Sequence, residues 1–276
     1  MQSRFVCAGV LFAFVVGLAG CSASARPASD PLETAAPSAT AVITLIREAS
    51  PTPLAAIIRD KPVSTAQPAP SPTARLTPTP SFQLCSPLAS DPLADLAQII
   101  SDPYRPPPPH HDERHQGVDF SYYRRNGRTS IEGVGVQSVL AGKVAAAVPD
   151  SFPFGNLVMV ETSYEDLPSS LAQKLGMAPG ESLYVLYAHM SNPPEVGMGE
   201  RLVACQPLGV VGKTGNAGVA HLHLETRLGP PGETFAGMRY YDVQATQQEK
   251  DNYVLWSMSG VFRHFDPMDL LAWENH

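Results

Sequence analysis

Proline is distributed unevenly along this chain, and its distribution limits where a fold can form. Eighteen of the 28 prolines lie between residues 22 and 109, including Pro-Ser-Pro-Thr at 70–73 and Thr-Pro-Thr-Pro at 77–80. Proline removes a backbone donor and fixes φ, so this stretch cannot build strand ladders or long helices. We therefore predict a disordered tether over residues 21–84 and one ordered domain over residues 85–276.

The first twenty residues have the pattern of an export signal. Arg4 gives a positive start, residues 10–18 form a short apolar run, and Leu-Ala-Gly precedes Cys21. An apolar run this short favours a signal peptide over a membrane span. Cys21 directly after small residues resembles a bacterial lipobox, in which the cysteine is acylated. The alternative is an ordinary secretory signal in which Cys21 has no such role.

Two cysteines remain for the folded part of the chain, because Cys7 lies within the signal and Cys21 would carry lipid. Cys85 and Cys205 permit one disulfide in an oxidising compartment, which would join the end of the tether to the domain. Two unpaired thiols are the alternative, because the sequence does not give the distance between them. The formal net charge is −7, so no basic face is indicated and we expect no nucleic-acid partner.

Short apolar or β-branched runs separated by turns dominate the sequence after residue 110. The predicted strands are residues 137–148, 156–161, 183–189, 203–211 and 221–226. This pattern predicts a mainly β fold, an antiparallel sheet or half-barrel with a core at residues 110–228. Residues 164–182, with a short helix between Pro168 and Gly176, and residues 229–263 are predicted insertions. Long loops on a sheet often select the substrate.

A lead-in helix is predicted just before this core. Asp91 has the position of an N-cap and Pro92 that of the first helical residue. The apolar positions that follow form one stripe: Leu93, Leu96, Ile99 and Ile100.

Five polar groups in three short stretches carry most of the chemical information. They are His115 and Asp119, then His189, then His221 and His223. Residues i and i+2 of a strand share one face, so His221, His223 and Glu225 are expected to point the same way. Gly117 allows a bend that brings His115 and Asp119 to one ion. Two imidazoles and a carboxylate are a ligand set for zinc, and two histidines are left for proton transfer.

The sequence around these groups resembles the LytM/lysostaphin-type zinc metallopeptidases that cut peptidoglycan. His115-Gln-Gly-Val-Asp119-Phe120 resembles the family's His-x-Gly-x-Asp element, and Tyr187-Ala-His189-Met-Ser191 its Tyr-x-His strand. Gly212-Lys-Thr214-Gly-Asn216 and His221-Leu-His223-Leu-Glu225 resemble the two elements that follow. Asp266-Pro267 resembles the closing segment. The resemblance covers residues 112–227 and this end piece.

The resemblance implies a role for each group. His115, Asp119 and His223 would bind one Zn²⁺, and His189 and His221 would be the catalytic histidines, with the identity of the general base left open. The implied function is a zinc metalloendopeptidase acting on stem or cross-bridge peptides of peptidoglycan. The alternative is a non-catalytic domain that binds the cell wall and activates a separate amidase. We expect a monomer, exported and lipid-anchored to the cell membrane.

Some residues depart from the family pattern or stay ambiguous. Gly-Val-Ala at 218–220 replaces Thr-Gly-Pro, which affects the approach loop more than the metal. His110 and His111 are either a second metal site, a block on the first, or solvated loop residues. Tyr122 and Tyr123 line a groove or pack elsewhere, and Arg124, Arg125 and Arg128 face an acidic polymer or form a solvated turn.

Overall fold

The computed structural model describes residues 82–274. The predicted signal peptide, Cys21, the tether up to residue 81 and His276 lie outside the described residues. Residues 82–274 form ten strands and three α-helices. The strands are β1 (Ile100–Asp102), β2 (Val118–Phe120), β3 (Gly135–Gln137), β4 (Gly142–Ser151), β5 (Gly155–Ser163), β6 (Ser182–Met190), β7 (Arg201–Leu202), β8 (Pro207–Val210), β9 (Leu222–Gly229) and β10 (Arg263–Phe265). The α-helices are α1 (Ser169–Lys174), α2 (Gln247–Ser257) and α3 (Pro267–Leu271), and 3-10 turns cover Leu93–Ile99 and Tyr164–Asp166.

The strands of this region form one large antiparallel sheet and one small one. The large sheet has the order β1-β2-β9-β6-β5-β4-β7, and β10 also pairs with β9. β3 and β8 form the small sheet. All pairings are antiparallel. The predicted mainly β, antiparallel fold class is confirmed.

Two predicted strands are each divided in the structure. Residues 137–148 span the end of β3 and most of β4, and the turn between them carries the chain from the small sheet to the large one. Residues 203–211 are predicted as a run interrupted by Pro207, and β8 does begin at Pro207, while residues 203–206 form the turn after β7. Cys205, in the turn between, has a φ of 62°, which a strand does not allow.

The disulfide forms at this turn. Cys85 and Cys205 are bonded with their Cα atoms 5.5 Å apart, a separation within the usual range for such bridges. The backbone N–H of Cys85 donates to Val139, and that of Cys205 donates to Ser138. The start of the described chain is therefore joined to the small-sheet side of the domain.

The predicted lead-in helix is present as a 3-10 helix over Leu93–Ile99. Pro92 stands at the N-cap, with no side-chain cap. Asp91 does not cap the turn because its carboxylate is bound to the guanidinium of Arg125 at 2.8 Å. Leu96 and Ile99 are buried as expected, and β1 begins at Ile100.

Both faces of the large sheet are covered, so β6 is buried along its whole length. Alternate residues of β6 belong to two different hydrophobic clusters: Leu183, Val185 and Tyr187 to one, and Tyr184, Leu186 and Ala188 to the other. Side chains of residues 229–263 fill the second cluster, namely Phe235, Met238, Tyr253, Trp256 and Phe262. The second predicted insertion is therefore also a layer of the core.

The first insertion contains the predicted short helix, α1. Pro168 stands at its N-cap, and Gly176 follows its end with a φ of 64°. Glycine reaches this left-handed conformation without steric cost, so the helix ends there. Leu171 and Ala172 bury one side of α1 against the first cluster.

No helix within residues 82–274 is both long enough and apolar enough to cross a bilayer.

Candidate metal centre

Asp119 and His223 meet because β2 and β9 are neighbours. They are direct register partners across this antiparallel pair. Directly opposed residues on adjacent strands have their Cβ atoms about 4.5–5.5 Å apart, so the two side chains can touch. Here the Asp119 Oδ1 atom lies 2.8 Å from His223 Nδ1.

His115 joins this pair from the segment that leads into β2. Its Nε2 atom lies 3.0 Å from Asp119 Oδ1 and 3.1 Å from His223 Nδ1. Within the described residues, His115, Asp119 and His223 are the one set of potential metal ligands whose donor atoms all lie within 4.8 Å of one another. We call these three residues the metal-type group. Donor atoms around one tetrahedral zinc ion lie about 3.3 Å apart, since each bond is about 2.0–2.1 Å long. The observed spacing is close to that arrangement.

The outer nitrogen of each imidazole in this group has its own partner. Nδ1–H of His115 donates to the carbonyl oxygen of Pro103 at 3.0 Å, and Nε2–H of His223 donates to Glu225 Oε1 at 3.0 Å. Histidines that bind metals almost always donate their other N–H to a carbonyl or carboxylate in this way. The lone pairs of His115 Nε2 and His223 Nδ1 are thereby directed at the common point.

The charges around His223 favour a cation at this point. Burial alone would lower the pKa of His223, but hydrogen bonds and charges from Asp119 and Glu225 raise it to about 10. Burial raises the pKa of Asp119, yet hydrogen bonds from His115 and His223 outweigh it and hold that pKa well below its usual range. The half-buried Asp119 and the buried Glu225 both stay ionised beside the imidazole, so positive charge is stabilised between them.

The chain bends at Gly117 as predicted, and glycine is required there for a second reason. Its φ is not positive, but a Cβ atom there would lie 2.9 Å from Cε1 of His223 and closer still to the carbonyl oxygen of Leu224. No side chain fits between this segment and β9. Glycine therefore permits the close approach that brings His115 to His223.

His189 and His221 face the metal-type group from the other side. Their ring centroids are 4.6 Å apart, and His189 lies 5.7 Å from the ring of His223. Nδ1–H of His189 donates to Thr214 O at 2.8 Å, and Nδ1–H of His221 donates to Val219 O at 2.9 Å. Each ring therefore keeps Nε2 as the nitrogen with a lone pair, and that of His221 lies 3.4 Å from Asp119 Oδ2.

His189 is held as a neutral imidazole. Burial, then the charges of His223 and His221, lower its pKa to about 3. The ring is therefore uncharged at neutral pH and keeps a lone pair on Nε2. Its backbone φ of 62° is unusual for a residue other than glycine, and such conformations occur at functional sites.

All five predicted residues line one cleft of about 470 Å³. One wall is the β4–β5 hairpin, with Phe152, Pro153 and Phe154. A second wall combines Asp112 with Tyr241 and Tyr253, whose hydroxyls donate to Asp112 Oδ2 at 2.7 and 2.9 Å. Burial and the Asp112 carboxylate raise the pKa of both tyrosines, that of Tyr241 to about 12, so both hydroxyls remain donors.

Sequence reasoning missed this second wall. Asp112 has no recognisable motif, and Tyr241 and Tyr253 lie more than a hundred residues further along the chain. The readable signal was Thr246-Gln-Gln-Glu249, which forms a reciprocal capping box at the start of α2 and would have predicted a helix there.

The ambiguous residues lie elsewhere. Nδ1–H of His110 donates to Met258 O and His111 contacts Glu113, so neither joins the metal-type group. Arg125 is paired with Asp91 and Asp95, and Arg128 donates to the backbone of residues 130 and 132. Tyr123 is largely exposed, and His264 contacts Tyr104.

Residues 113–234 match the sequence model of Peptidase family M23. This stretch is an M23 peptidase domain. The match includes all five histidine and aspartate positions of the cleft, and the resemblance to LytM/lysostaphin-type peptidases is confirmed. The M23 domain contains β2 to β9, while β1, β10, α2 and α3 lie outside it. No curated protein matches the chain by sequence.

Three solved structures illustrate what the chain is similar to. A mutant catalytic domain of the prophage-encoded M23 protein EnpA from Enterococcus faecalis is 20% identical over 53% of this chain and 92% of that one, with a TM-score of 0.34. The catalytic domain of lysostaphin from Staphylococcus simulans is 22% identical over 49% and 85%, with a TM-score of 0.35. A zinc-containing peptidase from Vibrio cholerae is 21% identical over 47% and 33%, with a TM-score of 0.33.

Proposed function

We propose that this chain is a zinc-dependent endopeptidase that hydrolyses peptide bonds in the stem or cross-bridge peptides of peptidoglycan. One observation carries the proposal. His115, Asp119 and His223 converge from separate parts of the chain at one side of a cleft, and His189 and His221 face them there. A peptidase family match over the same residues agrees with this arrangement.

Zinc suits the residues present. Two imidazoles and a carboxylate are a ligand set of catalytic zinc sites, and the outer nitrogens are held by Pro103 and Glu225. A zinc ion bound here supplies a Lewis acid that polarises a carbonyl group and activates water.

The two remaining histidines perform the proton transfers. The Nε2 atoms of His189 and His221 take up the proton of the attacking water and return it to the leaving amine. Their Nδ1 atoms stay bound to the backbone at Thr214 and Val219, so the rings do not turn away during the cycle. The Phe152–Phe154 hairpin and the tyrosine wall hold the extended peptide across this point.

The substrate and location are supported by the sequence. The motifs resemble peptidases that act on peptidoglycan, and the segment before Cys21 resembles a lipoprotein signal. We propose an exported monomer, anchored by lipid at Cys21 and reaching the cell wall on its proline-rich tether.

The test uses the purified full chain and isolated sacculi. Digestion should release new amino termini, and mass spectrometry of the products should identify a cleaved peptide bond instead of the sugar–peptide amide. The protein should contain about one zinc per chain. Zinc without any released amine would favour the wall-binding activator, and absence of both would refute the proposed function.

A further inference from the structure

Glu225 is held by more than His223. Its two carboxylate oxygens have different partners: Oε1 accepts from His223, while Oε2 accepts from Trp256 Nε1–H at 2.8 Å and from Arg227 Nη2–H at 2.7 Å. Glu225 is 4% exposed, and both Arg227 and Trp256 are fully buried. The carboxylate that orients His223 is therefore itself fixed from two directions.

Arg227 connects the other parts of the centre. Its Nη1–H donates to Trp256 O at 2.6 Å, its Nη2–H donates to Gln116 Oε1, and its guanidinium lies 4.5 Å from the centre of the Trp256 ring. Gln116 adjoins His115 in the chain. A buried guanidinium is costly unless its donors are satisfied, and here they are divided between helix α2, Glu225 and the segment before β2.

We propose that Arg227 and Trp256 are positioning residues of the metal centre. They act through Glu225 on His223 and through Gln116 on the segment that carries His115. Helix α2, which lies outside the M23 match, thereby becomes part of the support for the metal ligands. This inference rests on the proposed function, because it requires a metal bound by His115, Asp119 and His223.

Metal affinity per folded chain distinguishes a positioning role of the Arg227–Glu225 pair from a purely structural one. If Arg227 and Glu225 only stabilised the core, weakening the network would lower the free energy of unfolding and leave metal affinity per folded chain unchanged. If they position His223, metal affinity falls even in protein that remains folded, because the ligand is no longer held at its bonding angle.

The first test is Trp256→Phe in the full chain. This change removes the Nε1–H donor to Glu225 and retains an aromatic ring beside Arg227. Zinc affinity is measured by competition with a chromophoric chelator, per folded chain. We expect the dissociation constant to rise about tenfold, the low end of the effect of outer partners on metal affinity. An unchanged constant in folded protein would overturn the proposal.

Tyr184→Phe is the matched control. It removes a hydroxyl that donates to Pro230 O at 2.6 Å, also within the 229–263 insertion, and keeps a ring that packs on Trp256. The hydroxyl that is lost is bonded to Pro230 O and Glu233 N and not to Glu225, so zinc affinity should stay within about twofold of the wild type. Equal weakening in this control would also overturn the proposal, since any loosening of the insertion would then suffice.

A second variant keeps the proposal testable if Trp256→Phe does not fold. Gln116→Ala removes the Arg227 contact at the other end and leaves the core layer intact. It should weaken zinc binding severalfold and change the visible absorption of the cobalt-substituted protein; no change in either refutes the inference. Wild-type protein that binds no zinc would instead refute the proposed function.

Discussion

Nδ1 of His189 lies 2.8 Å from the carbonyl oxygen of Thr214. The hydroxyl of Thr214 donates to Met190 O and accepts from the backbone N–H of Asn156, so the loop at residues 212–216 is bound to β5 and β6. The Gly-x-Thr-Gly-Asn element therefore sets the orientation of His189. None of its residues belongs to the metal-type group.

Thr214→Val should slow the reaction without releasing the metal. The valine keeps the shape of the side chain but loses both hydroxyl hydrogen bonds, so the carbonyl that holds His189 shifts. A displacement of about 1 Å at a reacting group can cost on the order of a hundredfold in rate, and we expect a tenfold to hundredfold lower kcat. Thr214→Ser retains the hydroxyl and should be close to wild type. Wild-type turnover in Thr214→Val would contradict this role.

The five cleft residues should divide into two classes when each is replaced by alanine. His115→Ala, Asp119→Ala and His223→Ala should lose both zinc and activity. His189→Ala and His221→Ala should keep their zinc while kcat falls by about 10²–10⁴-fold, the usual contribution of a general acid or base. Metal content and turnover are measured on the same preparations. Loss of zinc in His189→Ala would show that the division is wrong.

Gly117→Ala should weaken metal binding although no ligand is changed. The added methyl group meets Cε1 of His223 and the backbone of β9, so the strands must separate or the imidazole must move. We expect zinc affinity to fall by at least tenfold, as for loss of an outer partner. Gly218→Ala is the control, because a Cβ there meets nothing within 4 Å. Chelator competition measures both, and equal affinity of the two variants would refute the steric explanation.

The Cys85–Cys205 bridge should stabilise the fold without taking part in catalysis. It closes a loop of 120 residues, and removing a native disulfide commonly costs about 2–5 kcal/mol. The double variant Cys85→Ser, Cys205→Ser should show that loss in urea unfolding and retain its kcat while folded. A drop in kcat at full folding would place the bridge closer to the chemistry than its position suggests.

The parts of the centre that were predictable are those set by local pattern. Strand alternation placed His223 and Glu225 on one face, and the short motifs identified the five cleft residues. That Asp119 is opposite His223 depends on strand register between segments about a hundred residues apart, which only the family resemblance could suggest.

The rest could not be read locally. Arg227 continues the alternation of β9, and an arginine is ordinarily expected to be exposed; its burial depends on Trp256, which arrives 29 residues later on α2. The N-cap of the lead-in helix could not be predicted for a similar reason. Asp91 looks like an N-cap, but Arg125 takes its carboxylate.

The bridge between Cys85 and Cys205 also determines how mechanical load would enter the domain. A pull on the chain ahead of Phe82 first loads the packing of Phe82 on Trp273 and then the bridge at Cys85, which passes it to the turn between β7 and β8. In the large sheet β7 is at the margin opposite β1, with four strands between it and β2. Tension applied through this bridge would thus enter away from the strands that carry Asp119 and His223, so these two side chains need not move under load.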